Sequence, residues 1–370
     1  MAAHINASQA PLDTLSLTLD LKALPTSKEA AARFVEALTK NTTLRIPRGV
    51  MLARSAQALA EIGALDAATK IATRALSSLD GLAAMDRTDV IGSSGLALTI
   101  AGKEPPAVVS ESADPITKLY IAQGLARSGR KDRARVLLAK LGSQRTTPLQ
   151  GAQIMALVWL GDIDAARAIV DASDAGARMQ LIGWFAQALA DSKHPQAKAL
   201  IDGLLVPVSE LAAKADTPQE VYMMGVWWSE LVWYREKLDA ASGRAARTKL
   251  HDWLLARQDE RRELFGINAV RATSAGNLAE AARLEPITTA IAKMEIAFIR
   301  GDLDRGLDAL AEHVKERASL LAQTMTVPPS SSILDGFENA EATAWLILAA
   351  RTSVDHAIVD RFRAITCTKL

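Results

Sequence analysis

The residues of this chain that could do chemistry are few and scattered. The five histidines, His4, His194, His251, His313 and His356, never stand at the i, i+4 spacing that sets two imidazoles on one helical face for a metal. Asp162-x-Asp164 and Asp302-x-Asp304 resemble cation-binding carboxylate pairs. Each begins just after a turn glycine, where a carboxylate caps a helix and complements its dipole. A phosphate loop would need a glycine at Ala97 and Ser or Thr at Glu104, on either side of Gly102-Lys103. Gly92-Ser93-Ser94-Gly95 lacks the spacing of a nucleophile elbow, and no H-E-x-x-H run occurs. The run Arg257-Gln258-Asp259-Glu260-Arg261-Arg262-Glu263 mixes signs and reads as a solvated helix face with i, i+4 pairs. The chain is therefore expected not to be an enzyme, with no catalytic residue, no metal and no cofactor. An enzyme on a helical scaffold, with a groove site that spacing cannot reveal, is the contrasting expectation.

Aromatic residues offer a different chemistry, that of recognition. Residues 219–238 hold Tyr222, Trp227, Trp228, Trp233 and Tyr234, three of the seven tryptophans of the chain, and Trp253 follows. The apolar positions of this segment wrap almost entirely round a helix, and such a helix must be covered on every side. The cover is expected from the irregular 204–217 segment, another part of the chain, a second subunit or a bound peptide. Tyr222, Trp227, Trp228, Trp233, Tyr234 and Trp253 are accordingly the candidate partner-binding residues, since aromatic anchors dominate binding hot spots when exposed. Core filling is the competing use of the same side chains.

The elements that must position them follow one grammar. In Leu160-Gly161-Asp162-Ile163-Asp164-Ala165-Ala166, a glycine able to take positive φ ends one helix and an aspartate opens the next. A small residue five positions later lets the two helices approach. The same five-residue spacing links Gly63 to Ala68, Gly102 to Ala107, Gly129 to Ala134, Gly276 to Ala281 and Gly301 to Gly306, with Ser192 and Ala197 as a variant. Gly63 and Gly129 lie 66 residues apart, twice 33. Ala56, Ala122 and Ala269 stand seven before their turn glycines, and Ala75 twelve after Gly63.

With its period near 34 and these small positions, the chain resembles a degenerate tetratricopeptide (TPR) repeat protein over roughly residues 45–315. The family's aromatic positions are mostly aliphatic here, its closing proline is mostly missing, and no clear turn falls between Ser192 and Gly276. The resemblance implies an all-α fold, an α-solenoid of antiparallel helix pairs wound as a right-handed superhelix. It is nearly silent about ligand, because the family is defined by packing. Four stretches are expected: a non-repeat arm over 1–27, where Leu15, Leu17, Leu19 and Leu21 alternate with polar residues, TPR-like repeats over 28–203, irregular repeats with the aromatic helix over 204–326, and a loop with a capping helix pair over 327–370. Within these, helices are expected over 105–111 and 195–203, with a break at Pro286 and a loop at Val327-Pro328-Pro329.

Composition agrees. Hydrophobic content is 49%, which suffices for an extensive core, and aromatics are only 4%. The 43 basic and 42 acidic residues nearly cancel, so nucleic acid is not an expected partner. No membrane span is expected, and the opening Met1-Ala2-Ala3-His4-Ile5-Asn6 lacks the pattern of a signal peptide. The lone Cys367 fits a reducing, cytoplasmic setting, although a mature secreted or periplasmic form would look the same. The expectation for function is a non-catalytic interaction or assembly scaffold for a protein or peptide partner. Self-assembly into a homo-oligomer through helix 219–238 and the N-terminal arm is the alternative.

Overall fold

Gly63, Gly102, Gly129, Gly161, Gly276 and Gly301 all take positive φ, between +75° and +91°. At Gly161 the turn closes with two backbone bonds, Gly161 N–H to the Val158 carbonyl and Asp162 N–H to that of Leu157, at 3.0 and 2.9 Å. This geometry satisfies carbonyls a helix end would otherwise leave open, and it requires a left-handed residue. The expected N-cap at Asp162 does not form: its side chain makes no capping bond and lies 3.7 Å from Arg135. Asp302 does cap, accepting the Arg305 N–H at 3.1 Å.

The computed structural model describes residues 48–257, 262–323 and 356–366, with Lys28 and Ala32. Among the described residues the fold is all-α, with no strand. The chain divides into two compact units, one of residues 91–287 and one of residues 1–90 with 288–370. The expected arm over 1–27 and the loop after Val327 lie outside the described residues.

In the flanking unit, α1 (Arg48–Glu61) and α2 (Leu65–Leu76) pack together across Gly63. Ala56, Ala68 and Ala75 are fully buried, as the small-residue spacing requires. α3 (Ala84–Ile100) begins here, and its Asp89 pairs with Arg54 at 2.6 Å.

In the central unit, the second half of α3 is followed by α4 (Ala107–Ser110), α5 (Pro115–Arg127), α6 (Lys131–Leu141), α7 (Thr147–Leu160), α8 (Ile163–Ala172) and α9 (Ala175–Asp191). Then come α10 (Ala197–Lys214), α11 (Pro218–Leu238), α12 (Ala240–Leu255), α13 (Arg262–Ser274), α14 (Leu278–Leu284) and a 3-10 turn at Glu285–Ile287. Helices α5, α7, α9, α11 and α13 pack one on the next in series. α6 rests on α5 and α7, α8 on α7 and α9, and α10 on α9 and α11. Glycines set several of these contacts. A Cβ on Gly151 of α7 would fall 1.7 Å from the Trp184 ring of α9, and one on Gly225 of α11 would fall 2.7 Å from Leu264 of α13.

α15 (Ala290–Arg300) and α16 (Leu303–Gln323) belong to the flanking unit and pack across Gly301, while α17 (His356–Thr366) packs on α16. Arg361 binds Asp304 at 2.7 Å and also Asp308. The carboxylate pair at Asp302 and Asp304 is thus used by a helix cap and an ion pair.

Three local expectations shift, and the one at Pro286 holds. The helix expected to stop at 203 runs on to Lys214 with Pro207 inside it, because Ile201, Val208 and Ala212 continue one buried face past the proline. The helix expected over 105–111 shrinks to four residues, and Ala107 is exposed rather than packed. The break at Pro286 is the 3-10 turn. At the serine variant of the turn, the left-handed residue is Lys193 (φ +51°), not Ser192, and His194 N–H closes on Leu189 at 3.2 Å. A side chain in this region strains the backbone by about 1 kcal/mol. Lys193→Gly should therefore raise stability by roughly 0.5–1 kcal/mol, read as a higher urea midpoint at unchanged m. A lower midpoint would mean that the lysine side chain contributes more than its backbone costs.

Candidate functional site

α11 begins with a capping box. The Thr217 hydroxyl accepts the Glu220 N–H, the Glu220 carboxylate accepts the Thr217 N–H, both at 3.2 Å, and Pro218 occupies the first helical position. The bonds from Thr217, backed by those from Asp216, hold the Glu220 carboxyl below its ordinary range. Four helices of the same chain, α9, α10, α12 and α13, pack around α11. That arrangement meets the demand of a helix apolar all round.

The candidate aromatics separate by burial. Trp228, Trp233 and Tyr234 lie in the core, with at most 4% exposure. Tyr222, Trp227 and Trp253 are half-buried. Trp228 meets Trp253 at 5.7 Å between ring centroids, so α11 and α12 share one aromatic contact. The Trp253 indole N–H donates to the Ala212 carbonyl of α10 at 3.1 Å, and Arg257 lies 4.5 Å over its ring. Trp233 donates to Ser274 of α13 at 3.1 Å, with the Lys237 ammonium 4.2 Å from its ring. The Tyr234 hydroxyl donates to Glu230 at 3.2 Å, and burial pushes its pKa well above the ordinary value. The polar handles of Trp233, Tyr234 and Trp253 are satisfied, as buried Trp and Tyr require.

Sequence reasoning missed a buried polar cluster beside the aromatics. Glu236 at the end of α11 and Arg247 of α12 form a two-pronged pair, 3.1 Å to Nε and 2.5 Å to the terminal nitrogen, with both side chains wholly buried. Asn277 donates to the same carboxylate, and Asn268 accepts from Arg247 at 3.4 Å. A Cβ on Gly243 would fall 2.7 Å from Glu236, so the small residue keeps room for the pair. A signal is present in the sequence: Gly243, Arg247, Leu250, His251 and Leu254 share one buried stripe of α12, so two ionisable residues stand at core positions.

His251 of that stripe is fully buried, with Nδ1 3.0 Å from the Glu280 carboxylate. Burial first, then the positive charges of Arg247 and Arg283, push its pKa from 6.5 down to about 3. The imidazole is therefore neutral, donating through Nδ1–H, while its buried Nε2 has no hydrogen-bond partner among the described residues. Thr248 and Arg283 complete the bonds to Glu280, and Arg283 also reaches Asp252 at 2.5 Å.

These groups could in principle form an acid–base pair, but a fully buried His251 is not presented to a substrate. Its consequence is pH dependence. The folded pKa lies below the unfolded one, so this stability is full above pH 6.5 and falls as the pH drops towards 3. About 2 kcal/mol should be lost by pH 5. His251→Gln should flatten this loss by about one proton in urea titrations between pH 6.5 and 5. An unchanged slope would show that His251 is charged in the fold.

Among the described residues, no group of three or more His, Cys, Asp or Glu is placed to hold a metal ion, and no helix is long and apolar enough to cross a membrane. No family model matches the chain, and no curated protein matches it in sequence.

Proposed function

We propose that the chain is a non-catalytic interaction or assembly scaffold, built as a TPR-like α-solenoid of antiparallel helix pairs, that binds a protein or peptide partner on its helical surface. One observation supports this above others: α5, α7, α9, α11 and α13 pack in series, with α6, α8 and α10 each resting on two of them. Layering of that kind extends a surface along the chain rather than closing a pocket, and helical repeats use such surfaces for partners. The ionisable groups with the most unusual surroundings, Glu236, Arg247 and His251, are buried and bonded to the chain itself. Tyr222, Trp227 and Trp253, half-exposed, remain as anchors. Four helices of the chain cover most of α11, which leaves self-assembly through that helix its half-buried Tyr222 and Trp227 edge.

The test is affinity capture with the full chain, followed by mass spectrometry and direct binding of the recovered protein. A specific partner whose affinity falls at least tenfold with Trp227→Ala supports the reading. No retained protein, together with turnover of a small substrate, removes it.

A further inference from the structure

The shortest helix of the central unit leaves a gap. α4 has four residues where α6, the next helix of the same layer, has eleven. At 1.5 Å per residue the deficit is about 10 Å, close to two helical turns. Val109 alone anchors α4, buried against Gly95 of α3. Beside α4, with Glu104, Pro105 and Ser110 at its edge, lies an open slot of about 410 Å³. Its floor is Ile121 and Leu125 of α5, and its walls are Pro105 and, from α6, Val136 and Leu137. Val136 is 57% exposed and extends the apolar lining of the slot to the surface.

The charges round the slot are unequally committed. Glu104 is held by Arg133 at 2.6 Å and Arg130 at 3.0 Å, which keep its carboxyl below the ordinary range. Asp132 lies 3.6 Å from Arg135. Lys118 of α5 and Lys140 of α6 line the same slot, and the side chain of neither makes an ion pair or hydrogen bond among the described residues. Glu104 is thus neutralised by two guanidinium groups and Asp132 stands in solvent, while the two ammonium groups of the slot have no carboxylate partner among the described residues.

We propose that this slot takes a short amphipathic α-helix of a partner protein, about two to three turns long, whose apolar i, i+3, i+4 face fills the place of the missing α4 turns and whose flanking Asp or Glu residues pair with Lys118 and Lys140. The mode is a helix laid in an apolar groove, with charge selecting the partner's sign and orientation. This inference rests on the scaffold reading above, and adds to it the place and chemistry of the contact.

The test uses the full chain and two fluorescent peptides of about 14 residues with identical leucine spacing, one with Glu and one with Lys at the polar positions. Anisotropy should show micromolar binding of the acidic peptide and at least tenfold weaker binding of the basic one. Val136→Asp, an exposed substitution that should leave the circular dichroism unchanged, should weaken the acidic peptide at least tenfold. Lys118→Glu with Lys140→Glu should invert the preference. Binding of the acidic peptide that ignores all three substitutions overturns the slot, as does saturation by oleate without peptide binding. If the partner found by affinity capture binds wild type and Val136→Asp equally, the slot fails while the scaffold reading stands. No retained protein together with turnover of a small substrate removes the scaffold reading, and with it the slot that rests on it.

Discussion

Arg247→Met is expected to destabilise the chain by about 3–5 kcal/mol, the largest effect of any single substitution considered for the central unit. The substitution keeps much of the length of the side chain but removes both bonds from the guanidinium to Glu236. Among the described residues, the wholly buried carboxylate then keeps the Asn277 amide as its one side-chain donor. Taking an ion from water costs several kcal/mol, and the partner charge is what offsets it. Glu236→Gln should cost less, about 2–3 kcal/mol, because the amide still accepts a bond while the buried guanidinium loses its counter-charge. The double variant Glu236→Leu with Arg247→Met should be nearer to wild type than Arg247→Met alone, since no charge is then left unpaired. Urea unfolding of Glu236→Leu, Arg247→Met and the double variant gives the coupling energy directly. Additive losses, with the double variant the least stable, would show that the pair is not the unit of stability here.

The joint between α11 and α12 explains why that pair matters. α11 ends at Leu238 and α12 starts at Ala240, so a single residue, Asp239, separates them. There is no glycine at the joint to set the geometry, in contrast with Gly129 or Gly161. Glu236 and Arg247 stand eleven positions apart on either side of it, and Asn277 and Asn268 tie the same cluster to the start of α14 and to α13. Where the turn grammar is missing, a directional buried network holds the helices. The polar bonds require one arrangement, whereas apolar packing alone tolerates several.

What can be read from the sequence follows this division. Turn glycines are legible because positive φ at a helix end selects glycine, and Gly63, Gly129, Gly161, Gly276 and Gly301 stand where their spacing places them. The buried alanines at 68, 134, 166 and 281 are legible for the same local reason, since a close approach excludes larger side chains. The extension of α10 through Pro207 is not legible, because the proline speaks against a helix locally and only the buried face beyond it argues for one. The cover of α11 is legible as a need but not as a source. Four different helices supply it, and pairwise packing between distant segments leaves no periodic mark on either. The slot beside α4 cannot be read at all. Lys118, Ile121, Val136 and Lys140 are unremarkable in sequence, and only the shortness of a neighbouring helix makes them face a common space.

Gly151→Ala carries the second largest expected effect, a loss of about 2–4 kcal/mol, despite being a substitution that ordinarily strengthens a helix. In the interior of α7 the alanine should add about 1 kcal/mol of helix propensity. Its Cβ, however, would lie 1.7 Å from Cε3 and 2.0 Å from Cζ3 of Trp184, with Cδ2 at 2.5 Å. The indole is a rigid plane seated on the backbone of α7, so it must leave its seat or push the two helices apart. Displacing the half-buried ring forfeits much of what its burial contributes, a loss that stays below the roughly 3–5 kcal/mol of a fully buried Trp→Ala change. Gly203→Ala is the matched control: it lies in α10, is exposed, and its Cβ would meet nothing within 4 Å. That variant should gain about 0.5–1 kcal/mol. Trp184→Ala should destabilise by itself, yet adding Gly151→Ala to it should cost nothing further, because the atoms that collide are gone. Urea midpoints of the four proteins decide the matter. If Gly151→Ala matches Gly203→Ala in stability, α7 and α9 do not meet through this seat, and the serial packing on which the scaffold reading depends is misplaced at its centre.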